Sequence, residues 1–386
     1  MKIAFVVTDL NTGGVTSSLL NFCKEFSARG HEVTLLNLAG EKPECMNDCP
    51  SFSYRSLQGI SRYWKLGAQD LARAKGLKKI ELGLLAVIKK LTNHSSLWNR
   101  LIFKKDKAET YDVAVAFRQN APCYFYVLNR MRAKVKIAFI HGDVNFMGGN
   151  EKSFLPYMPK FHRVAYVANA VKEGFIAKYP ILKENAATVY NMFDVEKIER
   201  LAKEPNPADF SGDEKNIVTV ARVSNDDKQV DWIPQICKLL KERCRVPFHW
   251  YIVGGGPDLE NDQKLAEKLG VTDCLSFLGN RENPFCILKD ADFSVLTSKT
   301  ESFGMVVLES LLLHIPVIAC EYPALREIFE DRSFGLVAKQ SWDDLAEKII
   351  QFLENQNGIA DLCTKNLSDY QFTNDTAYQQ FLNAVQ

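Results

Sequence analysis

The segment Thr297-Ser298-Lys299-Thr300-Glu301-Ser302-Phe303-Gly304-Met305-Val306-Val307-Leu308-Glu309 combines small polar residues, a glycine and two carboxylates eight positions apart. It follows the apolar run Phe293 to Leu296 and leads into a helical pattern over Met305 to Leu313. At such a strand-to-helix turn the first N–H groups of the helix have no internal partner and point at whatever lies in front of it, which suits an anion or sugar hydroxyls. Glu301 before the helix and Glu309 within it can accept hydrogen bonds from different hydroxyl pairs on one extended ligand. The plain alternative makes Glu301 a helix cap and Glu309 a solvated side chain. Against it, Glu309 stands among Val306, Val307, Leu308, Leu311 and Leu312, and a merely solvated role would sit oddly in so apolar a helix.

Other groups add to this chemistry. Arg222 and Lys228 flank the polar loop Asn225-Asp226-Asp227 just after the apolar run Ile217 to Val220. The C-terminal end of such a strand is where α/β sheets place ligands, and two fixed cations there suit a departing diphosphate. Asp226 and Asp227 are the competing partners. Gly13 and Gly14 follow the first strand and precede a helix, so their backbone can approach a phosphate or a sugar closely, unless a tight turn is their whole purpose. The turn Gly254-Gly255-Gly256-Pro257-Asp258-Leu259 fails as a dinucleotide fingerprint, because Leu259 replaces the third glycine and Pro257 breaks the helix start. Asp290-Ala291-Asp292 has the form of a metal-binding pair, but it opens a buried strand, so no metal is expected there. His141 ends the run Ile137 to Ile140, where a lone histidine is most often structural.

Taken together these segments resemble the retaining glycosyltransferases of family four, a group 1 family with the GT-B fold whose signature is E-x7-E. Glu301 and Glu309 match that signature. Arg222 and Lys228 are similar to the family's diphosphate-neutralising pair, and Val253-Gly254-Gly255-Gly256-Pro257 to its glycine-rich turn. Asn191-Met192-Phe193-Asp194 resembles its N-G-x-D segment without the glycine, and Thr12-Gly13-Gly14 its N-terminal glycine loop. His141 resembles the first-domain histidine that faces the donor sugar. The likeness covers about residues 1 to 355. It implies that Glu309 holds the ribose hydroxyls, that Arg222 and Lys228 hold the diphosphate, and that Glu301 with Phe303 and Gly304 holds the transferred sugar. Gly13, Gly14, Gly254, Gly255, Ser302 and Met305 complete the donor contacts. Catalysis is then assigned to Glu301, His141, Arg222 and Lys228, with retention of configuration, no cofactor beyond the nucleotide diphosphate sugar and no obligatory metal.

The elements that must position these groups are legible as short apolar runs. Ile3 to Val7, Val33 to Leu38, Val113 to Phe117, Ile137 to Ile140 and Val164 to Val167 read as strands of one parallel sheet, interleaved with helical or loop stretches. The Pro- and acid-rich stretch Glu204 to Asp213 interrupts the alternation, and it restarts at Ile217, His249, Leu275, Phe293 and Pro316. The fold class expected is α/β, with two doubly wound domains facing a cleft. The expected division is a first domain at 1–195, a connection at 196–213, a second domain at 214–365 and a C-terminal helix at 366–386 packing back on the first domain. Closure of the two domains would exclude water.

At 386 residues, 46% of them hydrophobic, the chain is long enough for two full cores. A net charge of +1 gives no general drive toward nucleic acid. Ten scattered cysteines without a C-x-x-C pair read as reduced thiols, and no run reaches the length of a membrane span. A cytoplasmic protein is expected. The neutral total hides one local excess: residues 55–107 hold thirteen Lys and Arg against Asp70, Glu81 and Asp106. There Ile80, Leu84, Val87, Ile88 and Leu91 form one helical stripe, with Lys78, Lys79, Lys89 and Lys90 on the other side. Either this stripe packs on the first domain, or it is a platform for an anionic membrane surface.

The expected activity is transfer of a hexose-type sugar, from a UDP-sugar by preference, to a saccharide or lipid-linked acceptor in surface polysaccharide or glycolipid assembly. Two alternatives stand beside it. One is a sugar-nucleotide epimerase, which needs acid and base groups not found here. The other is a non-catalytic homologue that binds nucleotide-sugar or membrane.

Overall fold

The computed structural model describes residues 1–10, 13–38, 51–57, 74–91, 96–103, 109–208, 210, 212–329 and 334–386. They form two compact units, one of Met1–Phe193 with Asn374–Gln386 and one of Asp194–Thr373. The expected stretches at Thr12, 58–73, 92–95 and 104–108 and parts of the Glu204–Asp213 connection lie outside the described residues.

In the first unit, strands β1 (Lys2–Val7), β2 (Glu32–Asn37), β3 (Ser53–Ser56), β4 (Thr110–Ala116), β5 (Arg132–Ile140), β6 (Arg163–Tyr166) and β7 (Ala186–Thr188) form one sheet in the order β3-β2-β1-β4-β5-β6-β7. Every pairing is parallel. The central strand β1 is buried from Ile3 to Val7, which explains its unbroken apolar run. Helix α1 (Gly14–Ala28) lays Leu19, Phe22, Cys23 and Phe26 on the sheet. Helices α2 (Leu77–Leu91), α3 (Ser96–Ile102), α4 (Ala121–Arg130) and α5 (Asn169–Lys178) follow.

The second unit holds α6 (Val195–Ala202), then β8 (Lys215–Val220), α7 (Trp232–Arg243), β9 (Phe248–Val253), α8 (Leu259–Leu269), β10 (Leu275–Gly279), α9 (Phe285–Leu288) and β11 (Phe293–Leu296). It continues through α10 (Met305–Leu312), β12 (Val317–Cys320), α11 (Leu325–Phe329), β13 (Gly335–Ala338), α12 (Trp342–Leu353) and α13 (Ile359–Ser368). Its sheet runs β10-β9-β8-β11-β12-β13, all parallel. Trp250 lies in this core with its indole N–H donated to Thr219 Oγ1 at 3.0 Å, so a large ring is buried without an orphaned donor.

Two expected boundaries differ. The connection set at 196–213 begins with helix α6, which Asp194 caps through Lys197 N at 3.1 Å. The C-terminal helix set at 366–386 is two pieces. Helix α13 stops at Ser368, and the last helix runs Asp375–Val385. Asn374 between them is committed elsewhere, accepting from Phe193 N and donating to Phe193 O and Glu25. The last helix then places Phe381 against Phe26 (ring centroids 4.7 Å apart), Phe5 and Phe22.

Candidate functional site

Each sheet reverses its strand order once, and the loops at the C-terminal ends of the two strands flanking such a reversal leave a crevice between them. In the second unit the reversal lies between β8 and β11, which are neighbours with Val218 opposite Ser294. After β8 the chain runs through Arg222 to Lys228, and after β11 through Thr297 to Gly304, so the two most informative sequence segments face each other across this crevice.

They are bonded together. Lys228 Nζ pairs with Glu301 Oε1, which also accepts from Ser298 Oγ at 2.8 Å. Lys299 N donates to Asp227 O at 3.0 Å, and Thr297 Oγ1 to Lys228 O. Arg222 is exposed and pairs with Asp227 at 2.8 Å, the competing partner weighed above. Glu301 is therefore no helix cap: the N-cap of α10 is Gly304, with no side-chain hydrogen bond. Nor is Glu309 a solvated surface group. Burial pushes its carboxyl up to about 7, and among the described residues no hydrogen-bond or charged partner reaches it. A carboxylate in that condition gains from any ligand hydroxyl that approaches.

The glycine turn after β9 has a packing purpose as well. Gly254 has φ +147°, and a Cβ there would lie 1.8 Å from the Ala221 carbonyl oxygen. Hydrogen bonds from Ala221 N to Val253 O and from Val223 N to Gly255 O, 3.1 and 3.0 Å long, fix this contact. Gly254 and Gly256, where a Cβ would lie 2.0 Å from the Val223 carbonyl oxygen, thus let the turn press against the loop that carries Arg222, while Gly255 packs on the Asn280 side chain. Asn225 completes that loop, its N–H bonded to Asp258 and its side-chain amide to Asp262, both at 2.8 Å. At the other turn, Gly304 has φ +81° and a Cβ there would meet the Tyr322 hydroxyl at 2.1 Å. Ser302, Phe303 and Met305 stand on either side of this left-handed glycine.

In the first unit the reversal lies between β1 and β4, with Val6 opposite Ala116. Thr8 and Asn120 are bonded across it at 2.9 Å, and Arg118 pairs with Asp9 at 3.0 Å. Here a cavity of about 340 Å³ is lined by Gly13, Gly14, Val15, Thr16, Arg118, Gln119 and His141. His141 Nε2 lies 2.9 Å from the Phe117 carbonyl oxygen. A carbonyl only accepts, so Nε2 carries the proton and Nδ1 of the neutral ring is an acceptor. Burial pushes its pKa down to about 3, and the ring stacks on Phe139. Its backbone N–H donates to the Gln119 side chain.

Arg118 and Gln119 were not singled out in the sequence. Their signal was the polar burst Arg118-Gln119-Asn120 directly after the apolar run of β4. Two weaker candidates are absorbed by structure. Asn191 accepts from Ser18 at 2.6 Å inside the first unit, while Asp194 caps α6. Asp292 takes Lys215 and Asn216 N at 2.7 and 2.8 Å. Among the described residues, no cluster of three or more metal-ligating side chains occurs, and no helix is long and apolar enough to cross a membrane. All eight described cysteines are free, and only Cys244 is not fully buried.

Helix α2 gives the insertion a clear orientation. Leu82 is buried, whereas Ile80, Leu84 and Val87 are 64%, 63% and 58% exposed, so the apolar stripe faces solvent rather than the first unit's core. The side chains of Lys89, Lys90 and Leu91 lie outside the described residues.

The chain is similar in sequence and fold to known glycosyltransferases. Residues 202–367 match the family of glycosyl transferases group 1. The chain is 24% identical over 249 residues to N-acetyl-alpha-D-glucosaminyl L-malate synthase of Bacillus anthracis, covering 61% of this chain and 63% of that protein, and so spans less than two thirds of that relative's length. It is 21% identical over 346 residues to a Campylobacter jejuni N-acetylgalactosamine-N,N'-diacetylbacillosaminyl-diphospho-undecaprenol 4-alpha-N-acetylgalactosaminyltransferase, covering 88% of this chain and 86% of the relative. Among solved structures, Anabaena HepE in complex with UDP and glucose aligns with a TM-score of 0.71 at 17% identity, over 100% of this chain and 99% of that one. The two doubly wound units thus have the GT-B fold.

Proposed function

The chain belongs, through residues 202–367, to the glycosyl transferases of group 1, and on that premise we propose that it transfers a sugar from a nucleotide diphosphate sugar to a saccharide or lipid-linked acceptor. One observation carries the reading: the β8/β11 crevice joins Lys228 to Glu301 at the start of α10, the helix that carries Glu309, which has no charged partner among the described residues. On binding, Lys228 turns from Glu301 to the diphosphate, and Arg222 adds a second cation. Glu301 is then free to accept from the transferred sugar's hydroxyls, and Glu309 from those of the ribose. As the bond between sugar and phosphate breaks, negative charge grows on the leaving diphosphate. The two cations and the N–H groups at the start of α10 stabilise it with no ion required. In the first unit, the neutral Nδ1 of His141 offers a hydrogen-bond acceptor to a ligand hydroxyl in its own cavity. The 340 Å³ cavity beside it admits the acceptor.

UDP is the favoured nucleotide, supported by the fold shared with a structure that holds UDP. Retention of configuration rests on the resemblance to family four. A lipid-linked acceptor and peripheral association with an anionic membrane are supported by the exposed stripe of α2 beside Lys75, Lys78 and Lys79, and by a relative named for an undecaprenol-linked acceptor. Release of nucleoside diphosphate from a panel of UDP-, GDP- and ADP-sugars, with and without EDTA, tests the reading. Turnover of one class that survives EDTA is expected, and NMR of the product should show the donor's anomeric configuration kept. Turnover of none, with phosphate, lipid or polyol acceptors supplied, would overturn it.

A further inference from the structure

Tyr322, two residues after the end of β12, is 2% exposed, and its hydroxyl has no hydrogen-bond partner among the described residues. Burying a hydroxyl without a partner is unfavourable, and phenylalanine would fill the same space without that cost. The hydroxyl is placed at the turn that starts α10. It occupies the space where a Cβ on Gly304 would stand, 2.1 Å away, and only a glycine, here in the left-handed region, permits the approach. Burial and then the nearby Glu301 carboxylate push the phenol well above its usual range, so it remains a neutral donor. A buried donor without an acceptor therefore lies under the N-terminus of an eight-residue helix, beside the carboxylate assigned to the sugar.

We propose that Tyr322 is a specificity-determining residue of the donor crevice, whose hydroxyl donates to an oxygen of the sugar-diphosphate part of the nucleotide-sugar. The inference rests on the reading of that crevice given above. The hydroxyl is closed to solvent, so a ligand oxygen reaches it only with a slight shift of the turn Ser302-Phe303-Gly304. Gly304, with no side chain, is the hinge of that shift. The acceptor oxygen belongs either to the diphosphate or to the sugar, and the two are separable by experiment.

The test is Tyr322→Phe in the full chain, which keeps the ring and removes only the hydroxyl. Wild type and variant are titrated calorimetrically with UDP, UDP-glucose, UDP-N-acetylglucosamine and GDP-mannose, and the unliganded proteins are melted in parallel. The expected result is a melting temperature equal to or above wild type, with affinity for the bound nucleotide-sugar weakened roughly three- to tenfold. A loss seen already with UDP assigns the acceptor oxygen to the diphosphate, and a loss seen only with the sugar nucleotide assigns it to the sugar. Unchanged affinity for every ligand the wild type binds would overturn the inference, whether the melting temperature rises, as for an idle hydroxyl, or falls, as for one bonded within the protein. A wild type that binds none of the four, nor ADP-glucose, overturns the reading of the crevice, and this inference with it.

Discussion

Glu309 shows how much a single residue's surroundings decide. Burial alone raises its carboxyl from 4.5 to about 7. Over that window the folded chain keeps a proton that the unfolded chain has lost. Glu309's own contribution to folding stability is therefore full below about pH 4.5, falls as the pH rises toward 7, and then levels off. Glu309→Gln should flatten this decline and stabilise the protein at pH 8 by at most about 3.5 kcal/mol, at roughly 1.4 kcal/mol per pKa unit. Thermal melts between pH 4.5 and 8 check it, and parallel curves for the two proteins would show that the carboxyl is not perturbed. At this scale the sequence was informative where chemistry came with spacing, as at Glu301, Glu309, Arg222 and Lys228. It was silent on pairing. Nothing in the letters says that Lys228 meets Glu301, 73 positions away, or that Arg222 takes Asp227 and leaves Asp226. Arg118, Gln119 and Tyr322 escaped because each owes its importance to a cavity or turn built by distant strands.

Among the elements, the strands buried on both faces were legible, whereas of the edge strands only β10, from Leu275, was read and β3, β7 and β13 were not. Ile3 to Val7 is a continuous apolar run because both of its faces are buried, and Phe293 to Leu296 is broken only by Ser294, whose buried hydroxyl donates to Ser310 Oγ. Edge strand β3, Ser53-Tyr54-Arg55-Ser56, is partly exposed and polar, and β7 is three residues long, so neither carries a periodic signal. The first half of β5, with Arg132, Lys134 and Lys136, was missed for the same reason: only from Ile137 does it become fully buried. The turn after β9 offers an element-scale test. Gly254→Ala would drive a Cβ into the Ala221 carbonyl and strain a φ of +147°, which should lower stability by about 3 kcal/mol or more and displace the Arg222 loop. Denaturant unfolding measures it, and an unchanged midpoint would show that the two turns are not in contact. For α2, Leu84→Glu changes an exposed residue, so the melting temperature should hold within about 0.5 kcal/mol of stability. Retention on anionic vesicles at low salt should fall about tenfold or more, since one leucine's burial in lipid is lost. Equal vesicle retention would remove the membrane from the account.

For the whole molecule, the chain leaves its first unit at Phe193, builds the second, and returns at Asn374. A polar, helical C-terminus was readable from sequence. Its interruption at 369–374 was not, because the break is set by Asn374 bonding Phe193, 181 positions away. Phe381 anchors the return in the cluster of Phe5, Phe22 and Phe26. Phe381→Ala should destabilise the first unit by about 3–5 kcal/mol and leave nucleotide binding in the second unit unchanged. Scanning calorimetry with and without nucleotide would separate the two, and loss of binding together with stability would mean the units do not act independently.

The claim on which the rest depends is that a nucleotide diphosphate sugar occupies the β8/β11 crevice. Calorimetric titration of wild type, Lys228→Ala and Glu309→Ala with UDP-, GDP- and ADP-sugars tests it most directly. The account predicts that wild type binds one nucleotide class, and that each variant loses about tenfold or more in affinity while still folding. Binding of equal strength in all three proteins would place the nucleotide elsewhere and contradict it.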